Sequence, residues 1–410
     1  MLNNFPLNWY ECKFSDLCDI YTGNSINEQE KVSKYTNLDS GYNYIGTKDV
    51  SFEQTIDYEN GVKIPFGNGT FKIAPKNTPL LCIEGGSAGR KLAFTEEDIC
   101  FGNKLCAFVS KNKITSLYIF YFLQSTAFRS IFSLNKNGLI GGVSLNKIKN
   151  LTFPLPPLAE QERIVEKVET LFQDIDVGVE KLKAAQAQLK QYRQSVLSAA
   201  FKEKYESKDT TIGDIIRIKS GDSLSSKNMN KNGPYPVFGG NGINGFHDRC
   251  NIDDITIVIG RVGFYCGSVH ITPCKAWITD NAFKVSFDKK IYDFKFIFWL
   301  LKGLNLNKYS VSTAQPVISG SKIYPIRVKI PIYLKEQQRI VAEIENRFAV
   351  SDELQKAITD ALGKAEKLKQ SILKKAFEGK LVPQDSNDEP ASVLLDRIKK
   401  EQKPTKEKKK

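Results

Sequence analysis

The octet LAEQERIV spans Leu158–Val165, and LKEQQRIV spans Leu334–Val341. Aligning Glu160 with Glu336 sets an offset of 176. At that offset the match runs without a gap through Gln161/Gln337, Arg163/Arg339, Ile164/Ile340, Val165/Val341, Glu169/Glu345, Phe172/Phe348 and Asp176/Asp352. It resumes at Gln194/Gln370, Ser195/Ser371, Leu197/Leu373, Ala200/Ala376 and Phe201/Phe377. A gap-free match over about forty residues means that both copies keep one helix length.

The repeat reaches the other end of each half. FSDLCDIYTGNSI (Phe14–Ile26) matches IGDIIRIKSGDSL (Ile212–Leu224), pairing Asp16, Ile20, Gly23 and Ser25 with Asp214, Ile218, Gly221 and Ser223. Here the offset is 198 (Gly23 to Gly221), so the first half holds 22 more residues between the landmarks. So long a period excludes a solenoid and indicates a tandem domain duplication. The expected order is a globular domain over 1–157, a long helix over 158–205, a second globular domain over 206–333, a second long helix over 334–382 and a basic, disordered tail over 383–410. Short apolar runs such as TPLLCIEG and DDITIVIGRVGFYCG, punctuated by Gly, Asn and Pro, make each globular domain mixed α/β and strand-rich. The aromatic segments SLYIFYFLQSTAFRSIF and YDFKFIFWLLKGL are too apolar for a wet groove and are expected as core helices.

Pro156 and Pro157 stand where a helix start favours proline, and Glu160 and Glu162 suit its positive end. Val165, Phe172, Val179, Gln186, Arg193 and Ala200 recur every seven residues, as do Val168, Ile175, Leu182, Leu189 and Val196. Together they make an a/d seam with two polar breaks. The second helix carries Val341, Phe348, Leu362 and Ala376 on one row and Ile344, Ile358, Ala365 and Ile372 on the other, interrupted by Ser351, Gln355 and Lys369. A helix of about 45 residues is ~68 Å long at 1.5 Å per residue, and a narrow stripe of that length needs a partner. Its own copy is the nearest. An antiparallel coiled coil then relates the two halves by a pseudo-twofold axis, with a globular domain at each end. A coiled coil used only for dimerisation is the plainer alternative. Gly178 and Gly363 interrupt the helices at about 1 kcal/mol each relative to alanine; they permit either close helix contact or a slight bend.

PLPPLAEQERIV followed by QSVLSAAF, and LKEQQRIV followed by QSILKKAFEGKLVPQD, resemble the specificity subunit of type I restriction–modification enzymes; SNDEPASVLLDRIKK resembles that family's C-terminus. The likeness is specific in the helical repeats and loose in the globular domains, and KIPIYLKEQ lacks the Pro-Pro of the first copy. The resemblance implies a non-catalytic subunit. Each target-recognition domain would read one half of a split sequence in double-stranded DNA, and the helices would set the spacer. Two modification subunits, which methylate adenine with S-adenosylmethionine, would dock on it, and restriction subunits that translocate DNA with ATP and Mg would complete the assembly. This chain would bind no cofactor directly. On the helices, Glu160, Gln161, Arg163 and Phe172, with Glu336, Gln337, Arg339 and Phe348, are the candidates for partner contact and spacer geometry.

The formal net charge is +13 and the pI about 9.1. Between Arg397 and Lys410 eight basic residues face two acidic ones, so +6 of the total sits in RIKKEQKPTKEKKK; the rest is a mild basic excess that fits a polyanion partner. The start MLNNFPLNWYECKF has neither the basic nor the apolar region of a signal peptide, and no apolar run spans a membrane. A cytoplasmic location is expected, with the eight cysteines reduced. EGGSAGRK (Glu84–Lys91) misses the glycine spacing of a phosphate loop, and no catalytic residue is assigned. His247, Cys250, Cys266, His270 and Cys274 have spacings that a zinc site tolerates, but the first half has no counterpart, and ordinary polar and thiol positions are the preferred reading.

Arginine contacts guanine bidentately and asparagine or glutamine contacts adenine. On that chemistry the candidate DNA-binding residues are Arg90, Lys91, Asn103, Lys104, Asn135 and Lys136 in the first domain. In the second they are Lys227, Asn241, Arg249, Arg261, Asn281, Lys308 and Gln315. FGNKLCAF and ITDNAFKV place Asn103 and Asn281 in comparable contexts, pointing to a shared turn. Two other readings stay open: a stand-alone bipartite DNA-binding protein, and a coiled-coil assembly protein with no DNA role.

Overall fold

The computed structural model describes residues 5–110, 112–138, 141–201, 205–311 and 316–402; Gln315 lies outside them. The chain divides into two compact units. The first takes the described residues up to Glu180 and from Leu362 onward, and the second is Lys181–Ala361.

The first unit's globular part holds six main strands: β1 (Asp19–Thr22), β2 (Tyr42–Ile45), β3 (Pro79–Cys82), β4 (Leu92–Phe94), β5 (Ile99–Phe101) and β6 (Leu105–Val109). One antiparallel sheet has the order β1-β6-β3-β4. In the second sheet β2 lies parallel to β5, with Tyr44 opposite Cys100. The first aromatic segment is two helices, α1 (Lys113–Gln124) and α2 (Thr126–Leu134), broken at Ser125, whose hydroxyl caps α2 by accepting from the Phe128 amide. Phe122, Phe128 and Tyr118 are buried, as expected of core helices.

The second unit repeats the plan. Its strands are β7 (Ile216–Ser220), β8 (Tyr235–Gly239), β9 (Ile257–Gly260), β10 (Val269–Ile271), β11 (Trp277–Ile278) and β12 (Ala282–Phe287). The main sheet runs β7-β12-β9-β10, and β8 lies parallel to β11. The core helix is α4, Phe294–Gly303, numbered after the long helix α3, Leu158–Ala200. The extra length of the first half falls before β3, where the strands Lys63–Ile64 and Ile73–Ala74 lie.

The repeated residues have repeated jobs. Asp16 and Asp214 each accept the amide three residues back, from Lys13 and Thr211, and so cap a one-turn helix. Gly23 and Gly221 are required by close approach: a Cβ at either would collide with the carbonyl of Phe101 or of Ile278. Each globular part closes with an antiparallel strand pair, Tyr10–Lys13 with Thr152–Leu155 and Ser207–Thr211 with Arg327–Pro331. The second member of each pair leads into a long helix, α3 or α5 (Leu334–Phe377).

At the start of both long helices a fully buried glutamine locks the helix to its domain. Thr115 Oγ1 donates to Gln161 Oε1 (3.0 Å), and Gln161 Nε2 donates to the Pro156 carbonyl (2.9 Å). The Asp293 amide donates to Gln337 Oε1 (2.8 Å), and Gln337 Nε2 donates to the Ile291 and Pro331 carbonyls. Both ends of each amide are satisfied, which makes a buried amide tolerable.

In the first unit the N-terminal stretch of α3 lies against the C-terminal stretch of α5. Lys369 Nζ is 2.6 Å from Asp176 Oδ1, while Glu160, farther toward the start of α3, meets Gln384 beyond the end of α5. The two helices therefore run antiparallel. In the second unit the C-terminal stretch of α3 meets the N-terminal stretch of α5 through Arg193 with Ser351 and Asp352. Phe377 packs on Tyr118 and Phe122, and its repeat partner Phe201 packs on Phe296.

The helices end at Ala200 and Phe377, short of the expected 205 and 382. Part of the tail expected to be disordered over 383–410 forms a helix, α6, Ala391–Gln402; residues 403–410 lie outside the described residues. Its Ala391 and Leu395, one turn apart, are buried in the first unit's core beside Phe14 and Leu17. Arg163 forms a forked pair with Asp388 (2.6 and 3.4 Å), and Trp9 Nε1 and Gln384 Nε2 both donate to buried Glu160. The second copy is dressed differently: Arg339 pairs with Glu336 on its own helix (2.9 Å).

Candidate nucleic-acid interface

In each unit three segments are zipped together by their backbones at the same place. In the first, the β3–β4 loop meets the β5–β6 turn and the segment after α2: the Ile83 amide donates to the Lys104 carbonyl (3.0 Å), and the Val143 amide donates to the Ile83 carbonyl (3.0 Å). In the second, the Arg261 amide donates to the Asn281 carbonyl (2.8 Å), and the Ile318 amide donates to the Arg261 carbonyl (2.9 Å). Paired glycines shape the loops. Gly85 and Gly263 have φ of 84° and 97°, and Gly89 and Gly267 have 73° and 82°, conformations that favour glycine.

This register corrects one detail. Leu105 N bonds Gly102 O as Ala282 N bonds Thr279 O, both at 3.1 Å. Asn281 therefore matches Lys104, and Asn103 matches Asp280. The turn is shared, but the two asparagines stand one position apart in it.

The sequence-selected residues divide by what they touch. Arg90, Asn103 and Lys104 are exposed on the first unit's loop cluster. The Arg90 guanidinium and Lys91 ammonium lie over the exposed Phe52 ring at 4.8 and 5.3 Å, while Lys91 Nζ also donates to the Thr47 carbonyl (2.8 Å). Asn135 and Lys136 end α2; Asn135 is occupied locally, its Nδ2 donating to Ile131 O and its carbonyl accepting from Lys147 Nζ. In the second unit Asn281 is exposed on the equivalent turn, Lys308 is exposed in the short helix Leu306–Tyr309 that follows α4, and Asn241 is exposed at the tip after β8. Arg261 is turned inward, bonded to Asp280 O (3.3 Å) and lying over Phe283. Lys227 sits in the turn Ser226–Asn228 and Arg249 follows the strand Gly242–His247, both exposed on that hairpin's side.

The five possible zinc ligands take separate roles. Cys266 is buried, Cys274 is exposed, Cys250 Sγ reaches Asp253, His270 Nε2 is 3.0 Å from Ser268 Oγ, and His247 packs edge-on against Trp277. Among the described residues no His, Cys, Asp and Glu group of metal-binding size comes together. All eight cysteines are free. Burial pushes the thiols of Cys18 and Cys106 up, the latter to about 12, so neither presents a thiolate.

The helix candidates prove to be internal contacts for the most part. Gln161 and Gln337 are the locks described above, and Glu160 and Arg163 hold the C-terminal segment. Phe172 packs edge-on to Tyr121 (5.8 Å) and Phe348 to Trp299 (5.0 Å). Residues that sequence reasoning passed over are the exposed pair Phe264–Tyr265 and the clasping Asn307. The available signal was the glycine pair at matched spacing in both halves, with FYC between the second pair.

Two like α/β domains, each carrying a backbone-zipped loop cluster and closing on long paired helices, define a duplicated recognition scaffold. Among the described residues no helix is long and apolar enough to cross a membrane. The model of the type I restriction modification DNA specificity domain matches residues 6–186 and 204–364, and the chain belongs to that family. It is 33% identical over 174 residues to the type I restriction enzyme EcoprrI specificity subunit of Escherichia coli, a match covering 41% of each chain. It is 26% identical over 378 residues to the EcoKI specificity subunit of Escherichia coli strain K12, covering 78% of each. Among solved structures, a chain of a type I R-M system described in terms of complex assembly and conformational transition shares the fold, with a TM-score of 0.72 at 17% identity; the match covers 92% of this chain and 100% of that one.

Proposed function

We propose that this chain is the DNA-recognition subunit of a type I restriction–modification complex. Each unit's loop cluster reads one half of a split sequence in double-stranded DNA, and helix length sets the gap between the halves. The observation that carries the reading is a duplicated frame with varied tips. The backbone clasp recurs in both units, yet Gly86-Ser87 stands where the second unit has Phe264-Tyr265, and Asn103-Lys104 where it has Asp280-Asn281. Two readers of different half-sites require that combination; a helix-pairing protein with no DNA role gains nothing from it.

Arg90, Asn103 and Lys104 in the first unit, and Lys227, Asn241, Arg249, Asn281 and Lys308 in the second, are the exposed candidates placed to reach base edges or phosphates. Arg261 and Asn135 position the loops from within. The chain supplies no catalysis and binds no cofactor of its own. Two modification subunits, carrying S-adenosylmethionine and methylating adenine, dock on it; restriction subunits using ATP and Mg join them, in the cytoplasm.

The test is a base-resolution map of adenine methylation in the native cell with and without this gene. Loss of methylation at one split motif, two short half-sites with a fixed gap, is the expected result. A map unchanged by the deletion overturns the reading in favour of a DNA-binding protein that acts alone.

A further inference from the structure

The loop between β9 and β10 ends in two side chains that no contact among the described residues of their unit buries. Phe264 is 79% exposed and Tyr265 54% exposed, and their rings meet edge to face at 5.1 Å. Water is a poor environment for two adjacent aromatic rings. Their backbone, by contrast, is held firmly. Asn307 Nδ2 donates to the carbonyls of Phe264 (3.3 Å) and Cys266 (2.9 Å). The Cys266 amide donates to the Gly263 carbonyl, the Gly263 amide to Pro316 O, and the Gly267 amide to Gly260 O. Gly267 is fixed as glycine twice over: its φ is 82°, and a Cβ there would strike the backbone of Asn307. Cys266, next to the rings, is buried as an anchor.

The tip is therefore stiff, narrow and greasy, only two residues wide. A stable protein interface buries about 800 Å² on each partner, far more than two rings supply. A wedge against a base step needs only one or two apolar side chains. The surroundings suit a polyanion. Lys308 is exposed beside the clasping Asn307, and Lys302 lines a cavity of about 500 Å³ next to the tip together with His270 and Asn305. The equivalent loop of the first unit keeps the same two glycines but carries Gly86 and Ser87 at the tip.

We propose that Phe264 and Tyr265 form a two-ring wedge that inserts against a base step of the half-site read by the second unit. The idea rests on the DNA-recognition reading above and adds its mechanism: discrimination by ease of unstacking, which favours flexible pyrimidine–purine steps.

The test uses the full chain assembled with its methyltransferase subunits, selected against a pool of random-sequence duplexes and compared with F264A/Y265A and with F264W/Y265W. Both positions are exposed, so the melting temperatures should agree. The alanine variant is expected to enrich the first half-site unchanged and relax the second, and to bind the wild-type winner roughly tenfold more weakly. The tryptophan variant should restore binding. Permanganate should mark an unstacked thymine with wild type and not with the alanine variant. Unchanged affinity, motif and permanganate pattern would overturn the wedge, as would loss of the methyltransferase subunits from the alanine variant, which would make the tip a protein contact. If wild type enriches no split motif, the recognition reading fails instead. The wedge is then judged on plain duplex DNA, where equal binding and equal permanganate reactivity of the alanine variant overturn it.

Discussion

Lys369 Nζ lies 2.6 Å from Asp176 Oδ1 and 4.9 Å from the centre of the Phe172 ring. One repeat away, Arg193 pairs with Asp352 and stands 5.2 Å from the Phe348 ring. Lys369 and Arg193 occupy the same repeat position, as do Asp176 and Asp352, and Phe172 and Phe348. Each copy of the helix thus supplies a cation to the Phe–Asp face of the other copy. Of the polar residues that interrupt the heptad rows, Arg193, Ser351 and Lys369 bond across the seam, whereas Gln355 bonds Thr359 on its own helix.

The two cations differ in what they hold. Arg193 Nε also donates to buried Ser351 Oγ (2.8 Å), whereas the residue matching Ser351 in the first copy is Ile175. Arg193→Ala should therefore destabilise its unit by about 1–2 kcal/mol, losing a hydrogen bond to a buried hydroxyl as well as the stacked cation. Lys369→Ala should cost less than about 1 kcal/mol, as a partly exposed pair does. Denaturant unfolding of the two variants checks the order; equal losses would contradict it.

Glu160 is buried, and burial pushes its carboxyl above the ordinary 4.5, against the hydrogen bonds from Trp9 and Gln384 that favour the ionised form. The folded state keeps this proton at a pH where the unfolded chain has released it, so stability from this group falls as pH rises above 4.5 through the folded value. Glu160→Gln should flatten that part of the stability curve relative to wild type. Glu160→Ala strands the buried Trp9 Nε1 donor and should cost about 1–3 kcal/mol, while Glu336→Ala, at the matching but partly exposed position, should stay within about 0.5 kcal/mol. Melting curves over a pH series give both readouts.

Apart from the chain neighbours and the backbone of the same helix, no heavy atom of the described residues lies within 4 Å of a Cβ built on Gly178 or Gly363. Close helix contact does not explain either glycine. Gly178→Ala and Gly363→Ala should each stabilise the fold by about 1 kcal/mol, the helix-propensity difference. Calorimetry showing a loss at either position would mean that the glycine serves a bent or alternative helix state.

Four residues inserted within 166–192 lengthen α3 by about 6 Å. If helix length is the ruler, the methylated motif should change its gap and keep both half-sites. Sequencing of methylated adenines decides; an unchanged gap would remove the ruler.

Ending the chain after Lys399 should leave sequence choice intact. Ending it after Val382 removes buried Leu395 and Ala391, the Asp388 partner of Arg163 and the Gln384 partner of Glu160. That truncation should cost the first unit at least about 3 kcal/mol and leave the second unit's melting unchanged. Calorimetry resolves the two.

The sequence by itself determined the duplication, the two helix starts at Leu158 and Leu334, the pairing of the copies and the aromatic core helices. Those properties are periodic: burial recurs every seven residues along one strip of chain, so neighbours in sequence carry the signal. Only the tertiary structure decided which loop residues are free. Arg261 and Asn135 had the right chemistry but serve internal bonds, and Asn281 falls in line with Lys104 because backbone carbonyls set that register. Every residue carries the same carbonyl, so composition is silent about it. The C-terminal segment shows the same limit. Its charge suggested disorder, yet Ala391 and Leu395 fit a surface built by Phe14 and Leu17 from the other end of the chain, a contact that no local pattern records.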